Sequence, residues 1–108
     1  MIKIKKLVDL LKKNKSDFFT GVPDSILKDF CSLLEYKNKK NHVIATNEGA
    51  AVSIGIGHYL STKNIPCIYM QNSGLSNALN PLISIAHEKV YSIPLILIIG
   101  WRGSPKFK

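Results

Sequence analysis

The chain has 108 residues, 45% of them hydrophobic, with a mean hydropathy of +0.06, which allows one domain with a modest core, spanning residues 1–108, and excludes two. Fifteen Lys and Arg against seven Asp and Glu give a formal charge of +8, but fourteen of the fifteen are Lys, most of them gathered at Lys3 to Lys15, Lys37 to Lys40, Lys106 and Lys108 without Arg forks for base readout; such runs are solvated faces rather than base readers, so no nucleic-acid partner is expected and an anionic small-molecule substrate suits the same sign. No apolar run reaches the roughly 20 residues of a bilayer span and Met1 to Lys6 lacks a signal-peptide core, so no membrane is expected and the cytoplasm is the expected location.

Ile4, Leu7, Val8 and Leu11 form an i, i+3, i+4, i+7 stripe, predicting an amphipathic helix that ends at Asn14-Lys15-Ser16. The period then changes, and a short strand is expected at Phe18 to Thr20. Gly21-Val22-Pro23-Asp24-Ser25 turns it into a second helix with Asp24 or Ser25 as its cap and Leu27, Phe30, Cys31 and Leu34 as its buried stripe. Glu35 to Asn41 reads as a polar loop, and His42 to Ala45 as a short buried strand. Thr46-Asn47 leads into a helix of small and β-branched residues from Glu48 to about Leu60. A third strand is expected at Pro66 to Met70, followed by the polar loop Gln71-Asn72-Ser73-Gly74. Leu75 to His87 reads as helical, with Asn80 capping a restart at Pro81. Leu95 to Ile99 is apolar on both faces, as central parallel strands are.

Strand and helix in alternation predict an α/β fold, a three-layer α/β/α arrangement around a parallel sheet with all strand ends on one edge. That edge collects Asp24 and Ser25, Asn47 and Glu48, Gln71 to Ser73, and Trp101 and Arg102. Ligands bind at such an edge in open parallel sheets. Two readings of Glu48 stay open at this level: a carboxylate complementing the helix dipole while Asn47 caps, or a group placed for chemistry. Cys31 and Cys67 have no metal-spaced partner and read as reduced core residues; no metal ligands are expected. His42, His58 and His87 have no partners at useful spacing and are assigned no chemistry.

Gly21-Val22-Pro23, Asn47-Glu48-Gly49-Ala50-Ala51 and Gln71-Asn72-Ser73-Gly74-Leu75-Ser76-Asn77 together resemble the pyrimidine-binding domain of thiamine diphosphate-dependent 2-oxo acid decarboxylases. With Val90 to Pro94 and Gly100-Trp101-Arg102-Gly103, the likeness narrows to the phosphonopyruvate and sulfopyruvate decarboxylases, running from about Phe18 to Pro105. The resemblance implies that Glu48 hydrogen-bonds N1′ of the aminopyrimidine, a role that requires a buried carboxylate because the proton is shared across a dry contact. It implies cofactor contacts from Gly21, Val22, Pro23, Asn72, Ser73, Gly74 and Asn77. Asp24 becomes a candidate catalytic acid, and Asp24, Ser25, Gln71 and Arg102 become candidate substrate contacts, Arg102 as the only guanidinium, shaped for a phosphonate.

The family holds the diphosphate and its Mg²⁺ on a second domain with a Gly-Asp-Gly sequence, which is absent here, and Lys106-Phe107-Lys108 departs from the family's continuation. The expectation is therefore an incomplete pyrimidine-binding domain. It is expected to be the N-terminal part of a phosphonopyruvate decarboxylase, converting 3-phosphonopyruvate to phosphonoacetaldehyde and carbon dioxide, and inactive alone. Two alternatives stay open: a subunit of a split sulfopyruvate decarboxylase, and a non-catalytic relic or interaction module. A diphosphate-binding domain or subunit, in a homo- or hetero-oligomer, is the expected partner.

Overall fold

The computed structural model describes residues 3–103; Met1, Ile2 and Ser104 to Lys108, with the final part of the expected family likeness, lie outside the described residues. Ten residues of helix, α1 (Ile4–Lys13), precede β1 (Phe19–Gly21) and α2 (Lys28–Lys37). A 3₁₀ turn at Lys39–Asn41 enters β2 (His42–Ile44), followed by α3 (Glu48–Thr62) and β3 (Cys67–Gln71). A second 3₁₀ turn, Asn72–Gly74, opens α4 (Leu75–Pro81), which continues as π-helix at Leu82–Ala86 before β4 (Ile96–Gly100).

The four strands form one parallel sheet in the order β2-β1-β3-β4. Thr20 lies opposite both Val43 and Ile68, and Tyr69 opposite Ile98. Because side chains alternate across a strand, β3 feeds two cores. Cys67 and Tyr69 join Val8, Leu11, Phe19, Phe30 and Leu34 under α1 and α2. Ile68 and Met70 join Ala51, Val52, Ile56 and Ala78 under α3 and α4. The result is the expected three-layer α/β/α architecture. The small residues of α3 bring it close to the sheet: a Cβ on Gly55 would stand 2.7 Å from Ile68 Cδ1.

Several boundaries differ from the sequence reading, each for a physical reason. Neither Asp24 nor Ser25 caps α2, which begins after Leu27. Asp24 Oδ2 instead accepts from the Ile26 N–H at 3.3 Å, and its carbonyl accepts from Leu27, an Asx-type turn that delays the helix. Asn80 caps no restart; Pro81 is the last residue of α4, and the ladder widens to π geometry beyond it, as happens where a donor is missing. β2 is not a buried strand, since Val43 and Ile44 are 40% and 54% exposed. Nor is β4 central: among the described residues it pairs only with β3, and Leu97 is 37% exposed.

Candidate functional site

The polar residues that follow the strands meet at the carboxyl edge of the sheet in two groups joined by the Asn72–Gly74 turn. The first centres on Glu48. Asn47 adopts extended backbone and caps α3 by accepting from the Ala50 N–H at 2.8 Å, which sets Glu48 as the first residue of the helix. Its Oε1 accepts from Asn77 Nδ2 at 3.0 Å. Gly74 lies so near that a Cβ there would fall 2.4 Å from Glu48 Oε2. Glu48 is half-buried in this chain rather than fully buried, and Oε2 has no hydrogen-bond partner among the described residues.

The second group centres on Arg102. Asn72 binds the backbone of that residue twice, Oδ1 accepting from its N–H at 3.0 Å and Nδ2 donating to its carbonyl at 3.1 Å. The guanidinium donates from Nε to Gln71 Oε1 at 3.2 Å and from Nη2 to Ser25 Oγ at 2.6 Å. Asp24 Oδ1 stands 3.7 Å from Nη2, with a side chain 9% exposed against 55% for Arg102. Gln71 Nε2 donates to Ser73 Oγ at 2.6 Å. Two segments far apart in sequence, Asp24-Ser25 and Gln71-Asn72, thus hold one cation with its outer edge open to solvent.

Gly21, Val22 and Pro23 join neither group. A Cβ on Gly21 would stand 2.2 Å from the Tyr69 carbonyl oxygen, so the glycine is fixed by strand packing. The Val22 N–H donates to that same carbonyl. Pro23 borders a separate hollow of about 560 Å³ with Cys31, Glu35, His42 and Ile44.

His42, to which sequence gave no partner, lies buried with Nε2 2.5 Å from the Tyr69 hydroxyl and Nδ1 2.6 Å from Glu35 Oε1, the latter contact off the line of the N–H bond. The signal was present in Tyr69 itself: a tyrosine inside a buried strand needs a partner for its hydroxyl. Burial raises the Tyr69 pKa and pushes the Cys67 thiol up to about 12. Burial also raises Cys31, which is partly exposed.

The donor set fits one half of a thiamine cofactor. A carboxylate held at a helix start beside a glycine can share a proton with a ring-edge nitrogen. Among the described residues no group of three or more His, Cys, Asp or Glu stands close enough to hold a metal ion, and no helix is long and apolar enough to cross a membrane.

Residues 4–108 match the family model described as thiamine pyrophosphate enzyme, N-terminal TPP binding domain. The chain is 37% identical over 100 residues to sulfopyruvate decarboxylase subunit alpha of Methanocaldococcus jannaschii, covering 93% of this chain and 57% of that one. It is 35% identical over 85 residues to phosphonopyruvate decarboxylase of Streptomyces hygroscopicus, covering 79% of this chain and 20% of that one. The chain therefore spans about half the length of the subunit alpha relatives it matches. A solved structure described as a thiamin diphosphate-dependent enzyme from Mycobacterium smegmatis superposes with a TM-score of 0.75 at 22% identity, over 93% of this chain and 19% of that one, which establishes the shared fold.

Proposed function

The chain belongs to the family of thiamine pyrophosphate enzymes defined by their N-terminal TPP binding domain, and from that premise we propose that residues 1–108 act as one pyrimidine-binding unit of a decarboxylase for 2-oxo acids bearing a phosphonate or sulfonate. When bound, the cofactor supplies an electron sink for the bond that breaks as carbon dioxide leaves. The observation that carries the reading is the Glu48 carboxylate, fixed through Oε1 by Asn77 with Oε2 unengaged. Asn77 orients the carboxylate plane, and Oε2 holds and shares a proton at the edge of the aminopyrimidine. Gly74, having no side chain, lets the turn that carries Asn72 and Ser73 close against it. Gly21, Val22 and Pro23 shape the neighbouring strand end.

Arg102 binds the tetrahedral oxyanion of the substrate. Its Nε and Nη2 are already committed to Gln71 and Ser25, which leaves Nη1 and the open edge of the fork for the ligand. Asp24 steadies the guanidinium and stands within reach of a role as proton donor. In this reading a diphosphate-binding domain or subunit holds the Mg²⁺, the assembly is a homo- or hetero-oligomer, and its place is the cytoplasm. The relatives include both substrate classes, so 3-phosphonopyruvate and sulfopyruvate are the two arms of the test.

The experiment is co-expression with a diphosphate-binding partner chain and measurement of carbon dioxide release from each 2-oxo acid with thiamine diphosphate and Mg²⁺. One of the two substrates should turn over. Glu48→Gln keeps the size and the hydrogen bond from Asn77 but cannot trade a proton, so kcat should fall by about 10² or more, while stability changes by no more than about 1 kcal/mol. A Gln variant as active as its parent would remove Glu48 from the chemistry. Turnover of neither substrate would send the chain to the non-catalytic reading.

A further inference from the structure

The lysine runs that the sequence left as solvated faces do not all lie apart. The end of α1 and the segment between α2 and β2 enclose a hollow of about 440 Å³ bordered by Lys12, Asp17, Tyr36, Lys37, Asn38, Lys39, Lys40 and Asn41. Asp17 precedes β1, and Asn38 to Asn41 lead into β2. The hollow therefore sits at the amino edge of a parallel sheet, the end opposite Glu48 and Arg102. None of its four lysines has a carboxylate within 4.0 Å among the described residues.

Three features of the hollow ask for different parts of one ligand. The unpaired ammonium groups call for several negative charges, because a single exposed pair contributes little. Asn38 is 6% exposed, and its Oδ1 is buried without any hydrogen-bond partner, a state that is costly unless a donor arrives. Asp17 adds a second acceptor, which repels a bare inorganic anion but suits a hydroxyl. Tyr36 presents its ring with the residue 84% exposed, a surface on which a flat heterocycle stacks.

We propose that this hollow binds a nucleoside polyphosphate, its phosphates on the lysines, its ribose hydroxyls donating to Asn38 and Asp17, and its base against Tyr36. The site is separate from the chemistry proposed above and does not depend on it.

Isothermal titration of the full chain with ATP at low ionic strength tests it, with inorganic triphosphate and adenosine as the other arms. ATP should bind at one site, triphosphate about tenfold more weakly, and adenosine not measurably. Lys39→Ala/Lys40→Ala should weaken ATP by about tenfold or more, and Asn38→Leu should weaken it as well by removing the oxygen that accepts from the ribose. Lys6→Ala/Lys28→Ala removes the same charge from the far ends of α1 and α2 and should leave binding unchanged, as should Glu48→Gln. Equal affinity for ATP and triphosphate, or equal losses in the two lysine pairs, would mean diffuse charge attraction and overturn the proposal. So would a loss of ATP binding in Glu48→Gln, which would put the ligand at the other edge.

Discussion

Asn72 grips Arg102 by both backbone polar groups, one carboxamide accepting from the N–H at 3.0 Å and donating to the carbonyl at 3.1 Å. The pair closes the end of β4 onto the turn after β3, thirty residues away. Asn72→Asp keeps the acceptor, loses the donor and turns a negative charge toward a carbonyl oxygen. Denaturant unfolding should show a loss of about 1 kcal/mol. If the proposed decarboxylase assembly forms, the same change there should raise KM for its anionic substrate more than it lowers kcat, because Arg102 loses its mooring while Glu48 does not.

Two glycines should respond to the same substitution in opposite ways. At Gly21 an added Cβ meets the Tyr69 backbone oxygen and ring within 2.6 Å, and neither can retreat without opening the β1–β3 ladder. Gly21→Ala should lower stability by about 1–3 kcal/mol or more. At Gly74 the obstacle is the Glu48 side chain, which can swing away. Gly74→Ala should leave the melting transition nearly in place while displacing the carboxylate, visible as weakened thiamine diphosphate binding in the proposed assembly.

Tyr69→Phe removes the hydroxyl from a buried contact and leaves His42 Nε2 facing apolar rings. The expected loss is about 1–3 kcal/mol, the cost of an unsatisfied buried polar group. His42→Leu in the Tyr69→Phe background should recover part of it, since removing both partners is cheaper than removing one. Chemical denaturation of Tyr69→Phe, His42→Leu and the double variant decides between that outcome and simple additivity.

Alkaline pH should unfold the protein through its sheet. Burial holds the Cys67 thiol protonated up to about 12, against an ordinary value of 9.0, and raises Tyr69 above its ordinary 10.0 in the same direction. Between those limits the unfolded chain has released protons that the folded chain retains, so stability falls as pH rises. The loss should begin near pH 9 and steepen toward 12, and Cys67→Ala should flatten its first part. Below pH 9 neither group contributes a slope. Native-state alkylation should accordingly label Cys31 well before Cys67.

The layers, all four strands and the placing of Glu48, Asp24, Ser25, Gln71 and Arg102 on one edge were legible because they follow from period and alternation, which are local signals; Asn77 was named only through the family resemblance. What sequence could not show depends on partners far along the chain. Ser25 was free to cap a helix until Arg102, 77 residues later, supplied a donor to its hydroxyl. His42 looked solitary until β3 placed Tyr69 beside it. Strand hydrophobicity marked β2 and β4 as interior, but apolar residues do not say whether a neighbour is present; Val43, Ile44 and Leu97 are exposed among the described residues. Pro81 announced a break without saying that the helix would widen instead of stopping.

β1 is three residues long and hydrogen-bonded to a strand on each side, β2 beginning at His42 and β3 at Cys67. During synthesis its second neighbour does not exist until the segment through Gln71 has left the ribosome. Until then Phe19 has helices above it but no completed sheet beside it. Closing so short a central strand between distant partners makes the contacts non-local, and non-local contacts set a slow pace. The nascent chain is exposed to wrong pairing for that whole interval, with β2 as the only strand β1 can hold.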